Sequence, residues 1–91
     1  MDSTRQKVVD DILAERERQV ALAHGGNTEA FDKSNSKNDW ISYVAAYTGR
    51  AAEKVLRNER EGQHFRENMV KAAAIILASL EAHDKGYTVK K

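Results

Sequence analysis

Proline is absent from all 91 residues of the chain, and glycine occurs at only five positions. These two residues are the ones that most often interrupt helices, so their scarcity favours long uninterrupted helices. Glycine occurs as a pair at 25 and 26 and singly at 49, 62 and 86. Apart from position 49, these glycines separate segments that repeat apolar residues every three or four positions. The sequence therefore predicts an all-α protein.

Three main helices are predicted, at about 4–23, 37–60 and 64–84. In each, apolar residues recur with the spacing of one helix face. In the first segment that face contains one polar exception, Arg16. The second segment has two neighbouring apolar rows and is expected to be buried on two sides. In the third, Ala72, Ala73 and Ala74 would allow another helix to pack closely. The apolar residues that carry the three patterns are Val8, Val9, Ile12, Leu13 and Val20 in the first segment, Trp40, Ile41, Val44, Ala45, Tyr47, Thr48, Ala51, Ala52, Val55 and Leu56 in the second, and Met69, Val70, Ala73, Ile76, Leu77 and Leu80 in the third.

Capping residues support these boundaries. Ser3 with Gln6 and Ser36 with Asp39 have the spacing of a capping box at a helix start. Gly86 is suited to the left-handed conformation that often follows a helix end.

The remaining parts of the chain are predicted to be a loop and a tail around these helices. Residues 1–91 form a single domain, in which 24–37 is a polar loop and 87–91 a flexible tail. An aperiodic segment as long as 24–37 is often functional, and an unstructured surface loop is the equal alternative.

Such a short chain buries only about two-thirds of its unfolded surface. It contains no cysteine, and its three histidines lie far apart in sequence. Disulfides and a thiolate or histidine metal site are therefore not expected to stabilise it. Oligomerisation is the remaining common way to enlarge the core, and a dimer or higher homo-oligomer is predicted.

The charge balance excludes one broad class of function. The 15 basic and 14 acidic residues leave a net charge of +1, whereas a general nucleic-acid binder carries a clear basic excess. No apolar run approaches the ~18 residues of a membrane-spanning helix, and no secretory signal is visible near the start. We expect no membrane partner and a cytoplasmic location.

Aromatic and basic residues form the main candidate ligand site. Flat rings can stack on a nucleobase, and arginine or lysine can hold a phosphate. The glycine pair after His24 could add backbone amides at the mouth of a pocket. The alternatives stay open, since aromatic residues at helical spacing are usually core and a glycine pair is usually a helix stop. The candidate ligand-binding residues are His24, Gly25, Gly26, Trp40, Tyr43, Tyr47, Arg50, Arg66, Asn68 and Lys71.

Acidic residues form weaker candidates. Glu15 and Glu17 alternate with arginines, which is typical of a solvated face. Glu81 and Asp84 share a helix face, but a Mg²⁺ site usually needs more oxygen ligands than two.

Five sequence strings resemble a known family. They are ERERQ (15–19), HGG (24–26), NDW (38–40), GRA (49–51) and NMVKAAAIILASLEAHD (68–84). Together they resemble small phage-encoded proteins related to the MazG-like nucleotide pyrophosphohydrolases, over nearly the whole chain. The resemblance implies a helical bundle completed by oligomerisation. It also implies Mg²⁺-binding ExxE and ExxD motifs in active members, which hydrolyse nucleoside triphosphates to monophosphate and pyrophosphate.

The chain departs from that pattern at the metal motifs. The first would fall near 38–43, where only Asp39 is acidic, and the second near 67–71, where Asn68 and Lys71 take the ExxD spacing. A lysine places a cation where the metal would sit, yet it can neutralise a phosphate directly.

The resulting hypothesis is a protein that binds a nucleotide or a nucleotide-derived signalling molecule without hydrolysing it, with no metal or other cofactor. By analogy with small phage sponge proteins, it would sequester that molecule against a host defence, inside the infected bacterium. One alternative is a Mg²⁺-dependent pyrophosphohydrolase using Glu15, Asp39, Glu67 and Glu81, recruited from different helices or subunits. The other is a helical protein–protein interaction module, in which the alanine-rich face of the third helix captures a partner.

Overall fold

The computed structural model describes residues 3–22, 32–56 and 63–88; for residues 22, 50–56, 63 and 64 it describes the backbone only. Within these residues the protein consists of three long helices and no strand, which confirms the all-α prediction. The helices are α1 (Ser3–Leu22), α2 (Lys37–Leu56) and α3 (Gln63–Asp84). Each starts and ends within a few residues of its predicted bounds.

The start of α2 is held by the capping pair that the sequence predicted. The Asp39 amide donates to Ser36 Oγ at 3.1 Å, and the Ser36 amide donates to Asp39 Oδ2 at 2.8 Å. Each side chain thus satisfies a backbone amide that the helix itself leaves without an acceptor. In α1 the predicted Ser3–Gln6 capping box differs, because Gln6 Nε2 donates to Asp10 Oδ1 at 2.7 Å.

The end of α3 is closed by Gly86, which has a φ of +81°. The Tyr87 amide donates to the Ala82 carbonyl at 3.0 Å, and the Gly86 amide donates to the His83 carbonyl at 2.9 Å. This pair of bonds is a Schellman motif, which requires the left-handed conformation that glycine adopts without a steric penalty. The sequence predicted Gly86 in this role.

Residues 87 and 88 differ from the flexible tail predicted for 87–91. The turn after α3 brings Thr88 back into the protein, where it is almost fully buried, and its Oγ1 lies 2.8 Å from His83 Nδ1. Tyr87 packs against the core. The chain folds back here because the Schellman motif reverses its direction. Residues 89–91 lie outside the described residues.

The predicted 24–37 loop is partly structured. Residues 32–34 form a helical turn, 35 and 36 are irregular, and α2 begins at 37. Asp32 and Asn35 in this segment are buried. Residues 24–31 lie outside the described residues.

Helix α3 contacts both other helices, α1 and α2. Its contact with α2 is built from small residues against one large ring. Trp40 is 4% exposed and packs with Ala78 and Ala82, and Tyr43 packs at the edge of this cluster. The Trp40 and Tyr43 rings meet edge to face, with centroids 6.1 Å apart. The alanines Ala72 and Ala74 are also buried. The alanines permit the close helix approach that the sequence predicted.

The expectation that α2 is buried on two sides is wrong for the described side chains of its second apolar row, since Ile41 is 65% exposed and Ala45 is also exposed. In α3 the amphipathic pattern does not coincide with the buried side, because Met69, Ile76 and Leu80 are exposed whereas Ala72, Ala74, Ala78 and Ala82 are buried. The physical reason is the same in both cases: among the described residues, no further helix covers this side.

Candidate functional site

The most prominent surface feature is a row of large apolar side chains along α3. Phe65, Met69, Ile76 and Leu80, which we call the apolar strip, are between 41% and 57% exposed. At 100° per residue these four positions span only about 60° of the helix circumference, so they form one face. Large apolar side chains that are exposed as a contiguous row mark an interaction surface, whereas single ones do not.

A groove opens on each side of the apolar strip. The first, which we call the α1 groove, lies between α1 and the first half of α3 and has a volume of about 210 Å³. It is lined by Val8, Ile12, Phe65, Arg66, Met69 and Val70. Because its walls are nearly all aliphatic or aromatic, the chemistry that it offers is apolar packing.

The second, which we call the α2 groove, lies between α2 and the second half of α3 and has a volume of about 350 Å³. It is lined by Trp40, Ile41, Val44, Ala45, Ile76 and Ser79. Ile41 at its edge is the most exposed large apolar side chain among the described residues. The strip and both grooves together form one open apolar surface.

Charged residues border this surface on the α1 side. Asp11 accepts from Arg66 Nη2 at 2.7 Å and from Lys7 Nζ at 2.9 Å. These two hydrogen bonds, from Lys7 first and then Arg66, lower the pKa of Asp11 below its usual value. The pair between Arg66 and Asp11 also ties α3 to α1 beside the α1 groove.

Elsewhere, polar side chains of all three helices lie within electrostatic range of a bonded pair in α1. Arg18 forms an ion pair with Glu15 through both its Nε and its Nη2, with an Nε–Oε2 distance of 2.7 Å. This pairing, together with the charge of Lys71, lowers the pKa of Glu15. Glu15 and, more weakly, Tyr47 raise the pKa of Arg18. We call Glu15, Arg18, Tyr47 and Lys71 the three-helix polar cluster.

A second ion network is centred on Arg16, the polar exception on the predicted face of α1. Its Nη2 donates to Asp32 at 3.2 Å and its Nε to Glu81 at 3.3 Å. The side chains of Arg16 and Asp32 are only 15% and 10% exposed. Burial raises the pKa of Asp32, and Arg16 only partly offsets this. The network anchors residues 32–34 to both α1 and α3.

The predicted ligand residues are distributed over different parts of the fold. Trp40 is in the core, and Tyr43 is half-buried with its hydroxyl donating to Asn35 Oδ1 at 3.2 Å. Arg66 pairs with Asp11 beside the α1 groove, and Asn68 is buried.

Of the predicted ligand residues, Lys71 lies within electrostatic range of Glu15 and Tyr47 within that of Arg18, in α1. Arg50 lies in α2, but only its backbone is among the described residues. His24, Gly25 and Gly26 lie outside the described residues.

Sequence reasoning missed the contributions of Glu15 and Arg18, because alternating charge on a helix usually indicates a solvated face. It also missed the exposure of the apolar strip, because periodicity shows which residues share a face but not whether a neighbour covers it. Only the position of Arg16 on an apolar face gave a usable signal, since a cation there needs a buried partner.

Within one chain, the carboxylates of the enzyme alternative are not gathered into one site. Among the described residues no group of three or more acidic, histidine or cysteine side chains is placed to hold a metal ion. Glu15 pairs with Arg18, Asp39 caps α2 and Glu81 pairs with Arg16.

No helix in the described part of the chain combines the length and apolar character needed to cross a bilayer.

Comparison of the chain with family models, with curated proteins and with solved structures found no match.

Proposed function

We propose that the protein is a self-associating helical interaction module, which uses the apolar strip and its two grooves to bind a second copy of the same chain. The observation that carries this proposal is the exposure of Phe65, Met69, Ile76 and Leu80 along one face of α3. The proposal differs from the predicted interaction module in the face used, since the alanine-rich face is already buried against the rest of the chain.

The small core supports a protein partner. The fully buried apolar residues among those described are Trp40 and four alanines. An alanine contributes little hydrophobic free energy, because burial stabilises in proportion to apolar area, by ~25 cal/mol per Å². Wherever the chain is present, other copies of it are available as partners at the same concentration. Closed symmetric dimers are also the commonest assemblies. We therefore favour a second copy over an unrelated protein.

Sedimentation of the purified chain over a concentration series tests the proposal. We expect a dimer at tens of micromolar. Changing Ile76 and Leu80 together to glutamine should weaken the dimer by at least 100-fold in Kd, because two amides would have to be buried in an apolar interface. The control Glu67→Gln changes an exposed residue of α3 outside the apolar strip and should leave the dimer intact. A chain that stays monomeric and fully helical at 100 μM would contradict the proposal.

A second proposal is that the three-helix polar cluster binds a phosphate-bearing, nucleotide-like ligand without a metal ion. What supports it is that the bonded pair Glu15 and Arg18 of α1 interacts electrostatically with Lys71 and Tyr47, both predicted as ligand residues. Lys71 supplies a cation for a phosphate and Tyr47 supplies a ring, and a bound phosphate would compete with Glu15 for Arg18. This second proposal includes the resemblance to MazG-like proteins. It also includes a role in sequestering a signalling nucleotide in the cytoplasm of an infected host.

Titration calorimetry in EDTA tests it, with ATP, GTP and a cyclic dinucleotide as probes. Binding of at least one probe is expected, together with a loss of at least tenfold in affinity in Lys71→Gln. Lys7→Gln, which removes an exposed lysine near the start of α1, is the matched control and should bind normally. If no probe binds at tens of micromolar, or if Lys7→Gln and Lys71→Gln lose the same affinity, this second proposal fails.

A further inference from the structure

We infer that two copies pair through antiparallel α3 helices, and that Leu80 of each copy packs into the α1 groove of the other. This inference rests on the proposed self-association and adds its orientation and register.

The spacing of the apolar strip is symmetric. The steps from Phe65 to Met69, to Ile76 and to Leu80 are four, seven and four residues. A two-fold axis between Ala72 and Ala73, perpendicular to α3, therefore places Met69 of one copy opposite the partner's Ile76. The same axis places Phe65 opposite the partner's Leu80. Every large residue of the strip then meets another large residue, and the small side chain of Ala73, which is half-buried, lies near the centre.

Leu80 lies on the side of the strip that faces α1. At 100° per residue it is turned by about 40° from Ile76, in the direction of Arg66. Arg66 bonds to Asp11 of α1, which identifies that side. The α1 groove lies at the other end of the strip, beside Phe65 and Met69. Rotation about the proposed axis places α1 of both copies on the same side of the α3 pair and exchanges the two ends of α3. Leu80 is thereby brought over the partner's α1 groove.

A parallel pair would lack this fit. It would place Leu80 beside the partner's Leu80 and leave both α1 grooves, at the opposite end of the strip, without an occupant. It would also align the like ends of two helix dipoles, whereas an antiparallel pair places opposite ends together. The exposure of Leu80, 57% in the single chain, is removed by the antiparallel pairing.

The absence of native cysteine allows a direct test by disulfide formation. Met69→Cys and Ile76→Cys are prepared separately, then unfolded, mixed in equal amounts, refolded and oxidised. Facing residues of two packed helices come within the reach of a disulfide, whereas residues one or two turns apart do not. We expect the disulfide that joins Met69→Cys to Ile76→Cys, identified by intact mass, to exceed either homodimer at least tenfold. Phe65→Cys mixed with Leu80→Cys should behave in the same way at the ends of the strip.

Glu67→Cys is the control, because it is exposed on α3 outside the apolar strip, and it should form no disulfide alone or in any mixture. Sedimentation of every variant under reducing conditions distinguishes self-association from the orientation of the two helices. A monomeric unmodified chain would contradict the self-association itself. A dimer that forms homodimeric disulfides in Met69→Cys alone, or forms none in either mixture, would overturn the antiparallel register and leave self-association standing.

Discussion

The inner and outer faces of α3 differ in a way that is unusual for a helix of a small domain. The inner face is built mainly of buried alanines, of which Ala78 and Ala82 pack against Trp40 of α2 together with Ile75. The outer face carries the large residues Phe65, Met69, Ile76 and Leu80, which are roughly half exposed. In a self-sufficient monomer the large residues would be expected inside, since burying them contributes most to stability.

The difference indicates a division between the two faces. The alanines pack against Trp40, with Tyr43, Ile75 and Tyr87 at the edge of the same cluster. The apolar strip holds four of the seven large apolar residues of α3. The exposed part of their surface can contribute to stability only when a partner covers it. Four substitutions test this division, and their expected effects decrease from the first to the last.

The largest effect is expected from Trp40→Ala. Removing the largest ring of this core should cost about 3–5 kcal/mol of unfolding free energy, which is most of the stability of a small domain. Urea unfolding followed by circular dichroism measures it. In Ile76→Ala, the matched outer-face variant, the monomer should lose less than about 1 kcal/mol, because surface substitutions rarely cost more. Equal losses in the two variants, measured below the concentration at which the chain associates, would contradict the division.

Ala78→Leu should destabilise by about 1–3 kcal/mol, because the inner face has no room for three more carbon atoms beside Trp40. The same urea titration measures it. Ala45→Leu, on the exposed row of α2, is the control and should change the monomer by less than about 0.5 kcal/mol. An Ala78→Leu variant as stable as the unmodified chain would contradict a close approach of α2 and α3 at this position.

Arg16→Met tests whether the ion network contributes to the inner packing. Methionine keeps the length of the side chain but leaves Asp32 buried without its cation, at a cost of about 1–2 kcal/mol. The pKa of Asp32, already raised by burial, should rise further, which NMR titration of the carboxyl carbon can follow. A pKa of Asp32 that does not respond would show that Arg16 does not stabilise its charge.

The smallest effect is expected at Asp11, an exposed carboxylate bordering the outer face. Lys7 and Arg66 lower its pKa in the folded state, so the folded protein binds fewer protons there than the unfolded chain. The stabilisation from this group is therefore complete above the ordinary pKa near 3.8. It is lost as the pH falls through the lower folded value. Asp11→Asn should reduce the loss of stability between pH 5 and 2, measured by thermal unfolding; an unchanged slope would contradict the role of these two pairs.

Local signals predicted the helices well because they depend on neighbours in sequence. Ser36 and Asp39 are three residues apart and cap α2 directly, and Gly86 forms its turn within one segment. Helix bounds therefore followed from backbone and capping chemistry alone. The candidate site was predicted less well. Arg66 and Asp11 are 55 residues apart, and Arg16 and Glu81 are 65 apart, so no local pattern could indicate that they pair.

The sequence by itself determined that the chain is all-α, where its helices begin and end, and which residues share a face of each helix. Those properties follow from residue propensity, capping and a periodicity of 3.6 residues. Only the tertiary structure decided which face is covered, since burial depends on the neighbours that a helix finds. It assigned the alanines of α3 to the inside and left Phe65, Met69, Ile76 and Leu80 uncovered, because α1 and α2 together surround only part of the circumference of α3.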